Sequence, residues 1–448
     1  MRKIIGSILL TVSIVEAQEL FTAAKISEYL DEKNPFVQTL YNQEYLAKEQ
    51  INYQKSPFDT RLTAKLDKKE YPASTGEYSD LLVKKSFYNG IELATGYRKA
   101  TGTQEYNNIK TGDQGEMLLS MKLPVVKLLA GTNTQKMNLD IAVVESTKYQ
   151  FGSRNNLRLL YLEVLSSYYT LLYNKLVLKF DQDLLQKALK REEFVKERIK
   201  NGDLAEIALV ELRQQIISRR QSVTASTREY NNSLYTFVKY LNISKEEFQE
   251  RYTLAEHLSV SGETITLSEA LQTAISKRPD LKMLEYDAKK VHLQTKNAKI
   301  LKYPNVNLTL YGVHDFNYDN GFKVAFDFSF PIERNRYNAQ IAKNRQTLQN
   351  IDLLKQKKIL EIKTVLSKIV NSLKLLKQNL DNVEQEVLLV QKLEDAEKTK
   401  YKHGQSSLFL LNQREIATLE VQKRVLAYQI NYLLLEEQLR RETGEYNF

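Results

Sequence analysis

From Ile359 the chain places apolar residues at Ile359, Ile362, Leu366, Ile369, Leu373, Leu376, Leu380, Val383, Val387 and Val390, with spacings that alternate between three and four. A 3.5-residue repeat sustained this far keeps one seam facing a partner helix only if the helices supercoil left-handedly, so a coiled coil is predicted. The stretch from about Tyr337 to His403 would measure roughly 100 Å as a single helix at 1.5 Å per residue. Helices of that length do not fold into a compact globule, so a rod or tube is implied.

A second pattern has a different period. In GFKVAFDFSFPIERNR, residues 321–336, Phe322, Val324, Phe326, Phe328 and Phe330 alternate with Lys323, Ala325, Asp327 and Ser329. Successive side chains of a strand point to opposite faces, so one face is aromatic or aliphatic and the other polar. The same alternation recurs in Phe58, Leu62, Ala64 and Leu66 against Asp59, Arg61, Thr63 and Lys65, and in Val306, Leu308 and Leu310 against Asn307, Thr309 and Tyr311. Met117, Leu119, Met121 and Leu123 lie opposite Ser120 and Lys122, although Leu118 interrupts the polar side. Turns are expected at Asn89-Gly90 and at Asp319-Asn320-Gly321.

These elements recur in one order. A helix reaches Pro35 or Pro279, a second helix reaches Pro57 or Pro304, strands end at Pro124 or Pro331, and long helices follow, broken at Gly202 or Gly404. The offsets 331 − 124 = 207 and 404 − 202 = 202 nearly agree, which points to an internal duplication. The first pair differs, 279 − 35 = 244, so the first half carries 244 − 207 = 37 extra residues, including FYNGIELATGYR, which reads as a further hairpin. The expected division is 18–242 as a first repeat (strands about 58–124, long helices about 133–241), 243–265 as a linker, and 266–448 as a second repeat (strands about 304–331, long helices about 337–441).

Residues 1–17 read as a secretory signal: Arg2 and Lys3, an apolar run from Ile4 to Val15, then Val15-Glu16-Ala17 with cleavage after Ala17. Cleavage removes Arg2, Lys3 and Glu16 and takes the net charge from +10 to +9. No later run approaches the roughly 18 apolar residues of a spanning helix. The absence of cysteine excludes disulfides, thiolate metal sites and cysteine nucleophiles. The basic charge is spread along helices without a nucleic-acid motif, so a solvated surface is expected and no nucleic-acid partner. His257, His292, His314 and His403 are dispersed, with no metalloprotease or phosphate-loop motif, and no enzyme, cofactor or metal is expected.

An exported chain with strands of about nine residues, apolar on one face, fits an outer-membrane barrel; a soluble sandwich, or a sheet packed on helices, gives the same alternation. Four to six strands cannot close a barrel in a bilayer, so either the sheet is soluble or several chains share one barrel.

The ordered set of YPNVNLTLYG, FSFPIERNRYNAQIAKNRQTLQ and KYKHGQSSLFLLNQREIATLEVQKRVLAYQINYLLLEEQLRRETG, with the duplicated helix and strand units, resembles the TolC family of outer-membrane efflux and secretion ducts over essentially the whole mature chain. That resemblance implies a mixed α and β fold, mainly long helices. Three protomers would share one transmembrane β-barrel of 12 strands that continues into a periplasmic coiled-coil α-helical barrel. An equatorial region is expected near 243–265 and at the C-terminus. The 37-residue excess departs from two strands per repeat and is either an extracellular hairpin or an increase in strand number.

The resemblance also implies a function: a passive exit duct of a tripartite efflux or type I secretion system, with a periplasmic adaptor and an inner-membrane pump of the RND, ABC or MFS type as partners. By the family pattern, a basic residue four positions before a glycine marks the periplasmic tip that meets the adaptor, here Arg198 before Gly202 and Lys400 before Gly404. Helix capping alone accounts for the same residues. An acidic residue nine positions after the glycine marks a constriction ring in the family. Glu211 fits, whereas Gln413 stands at the second position and argues against a fully acidic gate. Phe322, Val324, Phe326, Phe328 and Phe330 are expected to face outer-membrane lipid. The alternative is a periplasmic coiled-coil scaffold or adaptor that forms no pore.

Overall fold

The computed structural model describes residues 18–102, 110–260 and 266–444. The signal sequence and part of the 243–265 linker lie outside the described residues. The chain divides into two compact units, one formed by Tyr41–Asn155 and Pro279–Leu360, the other by residues up to Leu40, Asn156–Arg278 and the chain from Glu361 onward.

In chain order the elements are β1 (Glu19–Phe21), α1 (Ile26–Tyr29), α2 (Pro35–Lys55), β2 (Arg61–Tyr71), β3 (Ser74–Ser86), β4 (Glu92–Gly102), β5 (Glu116–Pro124), α3 (Val125–Ala130), α4 (Thr134–Lys200) and α5 (Ile207–Leu241). Then follow α6 (Lys245–Arg251), β6 (Tyr252–Leu254), α7 (Leu267–Lys277), α8 (Pro279–Ile300), β7 (Asn305–Asp315), β8 (Asp319–Ser329), α9 (Asn335–Lys402) and α10 (Leu408–Thr443). Helices of 67 and 35 residues follow the first run of strands, and helices of 68 and 36 residues follow the second.

The unit containing the large sheet has six strands in the order β2-β3-β4-β5-β7-β8, every neighbouring pair antiparallel. The first half therefore supplies four strands and the second two, and the excess residues add a hairpin to the sheet. Two local expectations shift. The strand expected from Phe58 begins at Arg61, because Ser56–Phe58 form a 3-10 turn that buries Phe58 with its ring 4.4 Å from that of Tyr88. The turn expected at Asp319-Asn320-Gly321 lies at Phe316–Tyr318 instead. The Asp315 carboxylate accepts the Asn317 N–H at 2.9 Å and starts the turn earlier, so Asp319 already pairs with Asp315 in the ladder. The Asn89-Gly90 turn stands where expected, with Gly90 at φ +91°.

Register gathers most of the apolar residues of the six strands on one face, Leu82, Leu118 and Val313 lying on the other. One row runs Leu62, Val83, Thr95, Leu119, Gly312, Phe322, and the next runs Ala64, Leu81, Tyr97, Met117, His314, Asn320. The opposite face carries rows such as Lys65, Asp80, Arg98, Glu116, Asp315 and Asp319, with an Arg98–Glu116 ion pair. The apolar face is uncovered: Leu62, Leu81, Val83, Leu119, Val324 and Phe326 are all exposed, and Phe322 is 88% exposed. Helices of the same unit are joined by ring contact between Phe151 and Tyr286 at 5.5 Å and by a Lys148–Asp287 ion pair at 2.6 Å.

In the other unit, β1 pairs in parallel with β6. Around them Phe21, Tyr168, Phe237, Phe248 and Tyr252 form an aromatic cluster, with Phe21 fully buried and its ring 5.1 to 5.7 Å from those of the other four. Edge-on and tilted ring contacts of this kind add to the area each ring removes from water. Capping fixes the helix starts: Thr266 and Glu269 form a capping box on α7, and Ser244 accepts the Glu247 N–H on α6. The heptad seam behaves as its spacing requires: Ile362, Leu366, Ile369, Leu373, Leu380 and Val383 are buried, and Ile359, Leu376, Val387 and Val390 half-buried.

Candidate functional site

The glycine turns at Gly202 and Gly404 share one hydrogen-bonding geometry. Gly202 N–H donates to Ile199 C=O (3.0 Å) and Asp203 N–H to Arg198 C=O (2.8 Å); Gly404 N–H donates to Tyr401 C=O (3.1 Å) and Gln405 N–H to Lys400 C=O (2.9 Å). Each is a Schellman cap, in which the residue after the glycine bonds to the carbonyl five residues before it and the glycine to the carbonyl three residues before it. The glycines sit at φ +82° and +73°, the left-handed region where a Cβ is penalised. Arg198 and Lys400 are therefore structurally equivalent: each contributes the capped carbonyl in the last turn of a long helix, where a cationic side chain also complements the helix dipole. Capping thus explains the spacing of these residues, and their side chains remain available at the surface. Arg198 is half-buried and Lys400 exposed.

The two turns are brought together. A Cβ placed on Gly404 would lie 3.6 Å from Nη2 of Arg198, whose guanidinium also sits 5.8 Å from the Phe194 ring. Nothing lies within 4 Å of a Cβ placed on Gly202. Gly202→Ala is thus expected to cost the left-handed strain alone, about 1–2 kcal/mol, read as a lower thermal midpoint. Beneath the turns Val195, Leu212, Ile216, Tyr401, Leu408 and Leu411 form a small core. Burial pushes the Tyr401 phenol up, and its hydroxyl has no hydrogen-bond partner among the described residues.

Glu211 and Gln413 are both exposed, within the first two turns of α5 and α10. Two sets of residues that sequence reasoning missed adjoin them. Ile207 and Phe409 occupy equivalent positions, five residues after each glycine, and are 62% and 59% exposed. Their common offset of 202 was available in the sequence as a signal. The second set is a buried charge cluster. Glu415, 3% exposed, accepts from Arg219 Nη2 at 2.7 Å and from Arg191 Nη1 at 3.2 Å, with a second, shorter contact to Arg191 Nη2. Arg219 also donates to Leu184 C=O (2.7 Å) and Asn412 Oδ1 (2.6 Å). Nearby, Lys187 pairs with Glu394 at 2.9 Å and Lys423 with Asp181 at 2.8 Å. These contacts tie α4, α5, α9 and α10 together behind the turns. Burial would raise the Glu415 carboxyl, but the two guanidiniums outweigh it and hold the group below its ordinary range.

No protein-family model and no curated protein sequence matches the chain. Solved structures do. CusC, studied for conformational changes accompanying folding and transmembrane channel formation, superposes with a TM-score of 0.70 at 13% identity, over 96% of this chain and 94% of CusC. The outer membrane protein VceC from Vibrio cholerae gives 0.69 at 13%, over 94% and 96% of the two chains. The CmeC outer membrane channel of Campylobacter jejuni gives 0.69 at 10%, over 94% and 85%. This chain has the outer-membrane channel fold. The resemblance to the TolC family read from the sequence is thus a resemblance of fold along nearly the whole chain.

At such low identity the backbone path is shared while the side chains are this protein's own. The arrangement follows from them: two capped turns carry the cations Arg198 and Lys400 and, five residues after each glycine, the exposed apolar Ile207 and Phe409, with buried ion pairs tying the same helices together. Among the described residues no group of three or more His, Asp or Glu side chains is placed to hold a metal ion. No helix among them is long and apolar enough to cross a membrane.

Proposed function

We propose that the protein is a passive exit duct of the outer membrane. Three duplicated chains would share one barrel, with the long helices in the periplasm and the Gly202 and Gly404 turns at the tip that meets an adaptor and its inner-membrane pump. The observation that carries this reading is the six-stranded sheet with one continuous apolar face that none of the described residues covers. In water, several uncovered phenylalanines on one strand would be an aggregation hazard; in a bilayer they are the required lipid surface. Leu375, Leu388, Leu389 and Leu393 on α9 lie off the seam and are exposed in the single chain, which suits lateral packing against a second copy. Transport through such a duct needs no chemistry from the chain; its energy comes from the pump.

Fractionation tests this directly. The expected result is extraction with the outer membrane and a detergent mass equal to three chains. A soluble monomer or dimer would support instead the scaffold or adaptor reading. Exchanging both tip cations for acids, Arg198→Glu with Lys400→Glu, is expected to weaken adaptor association roughly tenfold while the trimer persists. Loss of the trimer would instead sink the tip assignment.

A further inference from the structure

We infer that the barrel contains 18 strands, six from each chain, and that it closes by pairing β2 of one copy with β8 of the next. This rests on the trimeric duct proposed above and concerns the size of its membrane pore. The 12-strand expectation assumed two strands per repeat, but the sheet is continuous through six, and β2 and β3 are joined along eleven residue pairs. The added hairpin is therefore part of the wall.

Three features of the sheet fit its edges to each other. The strand number is even, so β2 and β8 run in opposite directions and copies placed edge to edge continue the antiparallel ladder. Both edge strands are eleven residues long. Left open, each edge would leave about ten backbone groups unpaired in lipid, which no single chain could sustain.

The third feature is the slant of the apolar band. On β2 the apolar run Leu62, Ala64, Leu66 is centred on Ala64, whose ladder row ends at Asn320 on β8. The run Phe322 to Phe328 on β8 is centred at Ala325, five residues from that row, a displacement of one residue for each of five strand-to-strand steps. With about 3.3 Å per residue and about 4.8 Å between strands, the band is level only if strands tilt by roughly 35°, within the range of closed membrane barrels. The residues of β2 and β3 follow this slant along with the rest, as wall strands must. At that tilt 18 strands enclose a diameter of about 34 Å between backbones, against about 22 Å for 12. The barrel would pass correspondingly bulkier cargo.

The native chain has no cysteine, so engineered pairs can be read without background. Centring the two runs at one height places Lys65 of one copy close to Ala325 of its neighbour, both on the polar face. Within a single chain these positions are five strand spacings apart, about 24 Å, beyond disulfide reach. Oxidation of the Lys65→Cys, Ala325→Cys double variant in native outer membranes is expected to remove the monomer band and give covalent dimers and trimers. Each single variant should stay monomeric on the same gel. The competing arrangement sets the β2–β3 hairpin outside the wall and pairs β4 with β8, so Ala94→Cys with Ala325→Cys would cross-link instead. That outcome, in a protein whose detergent mass is still three chains, overturns the 18-strand barrel and leaves the duct intact. A monomer by mass overturns both.

Discussion

Replacing Glu415 with alanine is expected to destabilise the helical unit by about 3–5 kcal/mol, the cost of leaving a buried charge without its partner. The magnitude follows from the geometry. Glu415 is the shared acceptor of two guanidiniums, and the Arg191 and Arg219 side chains are themselves 10% and 7% exposed. Removing the carboxylate leaves both cations without their shared partner where little water reaches them. Glu415→Gln keeps the volume and one acceptor oxygen and should cost less. Thermal unfolding of the purified protein, followed by helical circular dichroism, measures both. Equal midpoints for wild type and Glu415→Ala would mean that the cluster is hydrated in solution.

The same group gives stability a dependence on pH with a definite sign. Its carboxyl is held below the ordinary range in the folded state, so the unfolded chain binds the proton more readily. The stabilisation is fully present above the unfolded value, about 4.3, and is lost as pH falls through the lower folded value. Wild type should lose stability across that acid window faster than Glu415→Gln. Parallel curves would remove Glu415 from the account.

How far such features are legible in the sequence depends on whether the signal is local. The α9 seam is, because each spacing of three or four concerns neighbours on one helix, and Ile362 through Val383 are buried where the period puts them. Strand β8 is legible for the same reason, since period two survives from Phe322 to Phe330. Strand β3 is harder: Leu81-Leu82-Val83 breaks the alternation, because Leu82 lies on the polar face and is buried there beside Gly96. The buried charge cluster has no local signature at all. Arg191, Arg219 and Glu415 lie on three helices, and Arg219 and Glu415 are 196 residues apart in sequence. The Gly202 and Gly404 turns fall between these cases: glycine and a preceding cation are readable, but their identity as paired Schellman caps needs the backbone.

Two adjacent residues on β8 are expected to answer opposite ways to the same substitution. Phe326→Arg puts a charge near the centre of the apolar band, where arginine costs about 2–4 kcal/mol per chain in a membrane barrel, and three copies would carry three such penalties. The expected result is loss of trimer from the outer membrane. Ala325→Arg places the same group one residue away on the polar face, beside Lys323 and Asp327, and the trimer should persist. If the sheet belonged to a soluble protein, Phe326 would be a surface residue, already 65% exposed, and its replacement would fall within about half a kcal/mol of neutral. Comparing the two variants by outer-membrane yield and detergent mass therefore tests the identity of the solvent that meets these phenylalanines. A tolerated Phe326→Arg would assign that face to water and take the barrel with it. Loss of the Phe326→Arg trimer with retention of Ala325→Arg requires a medium that discriminates between the two faces of one strand, as a bilayer outside and water within would do.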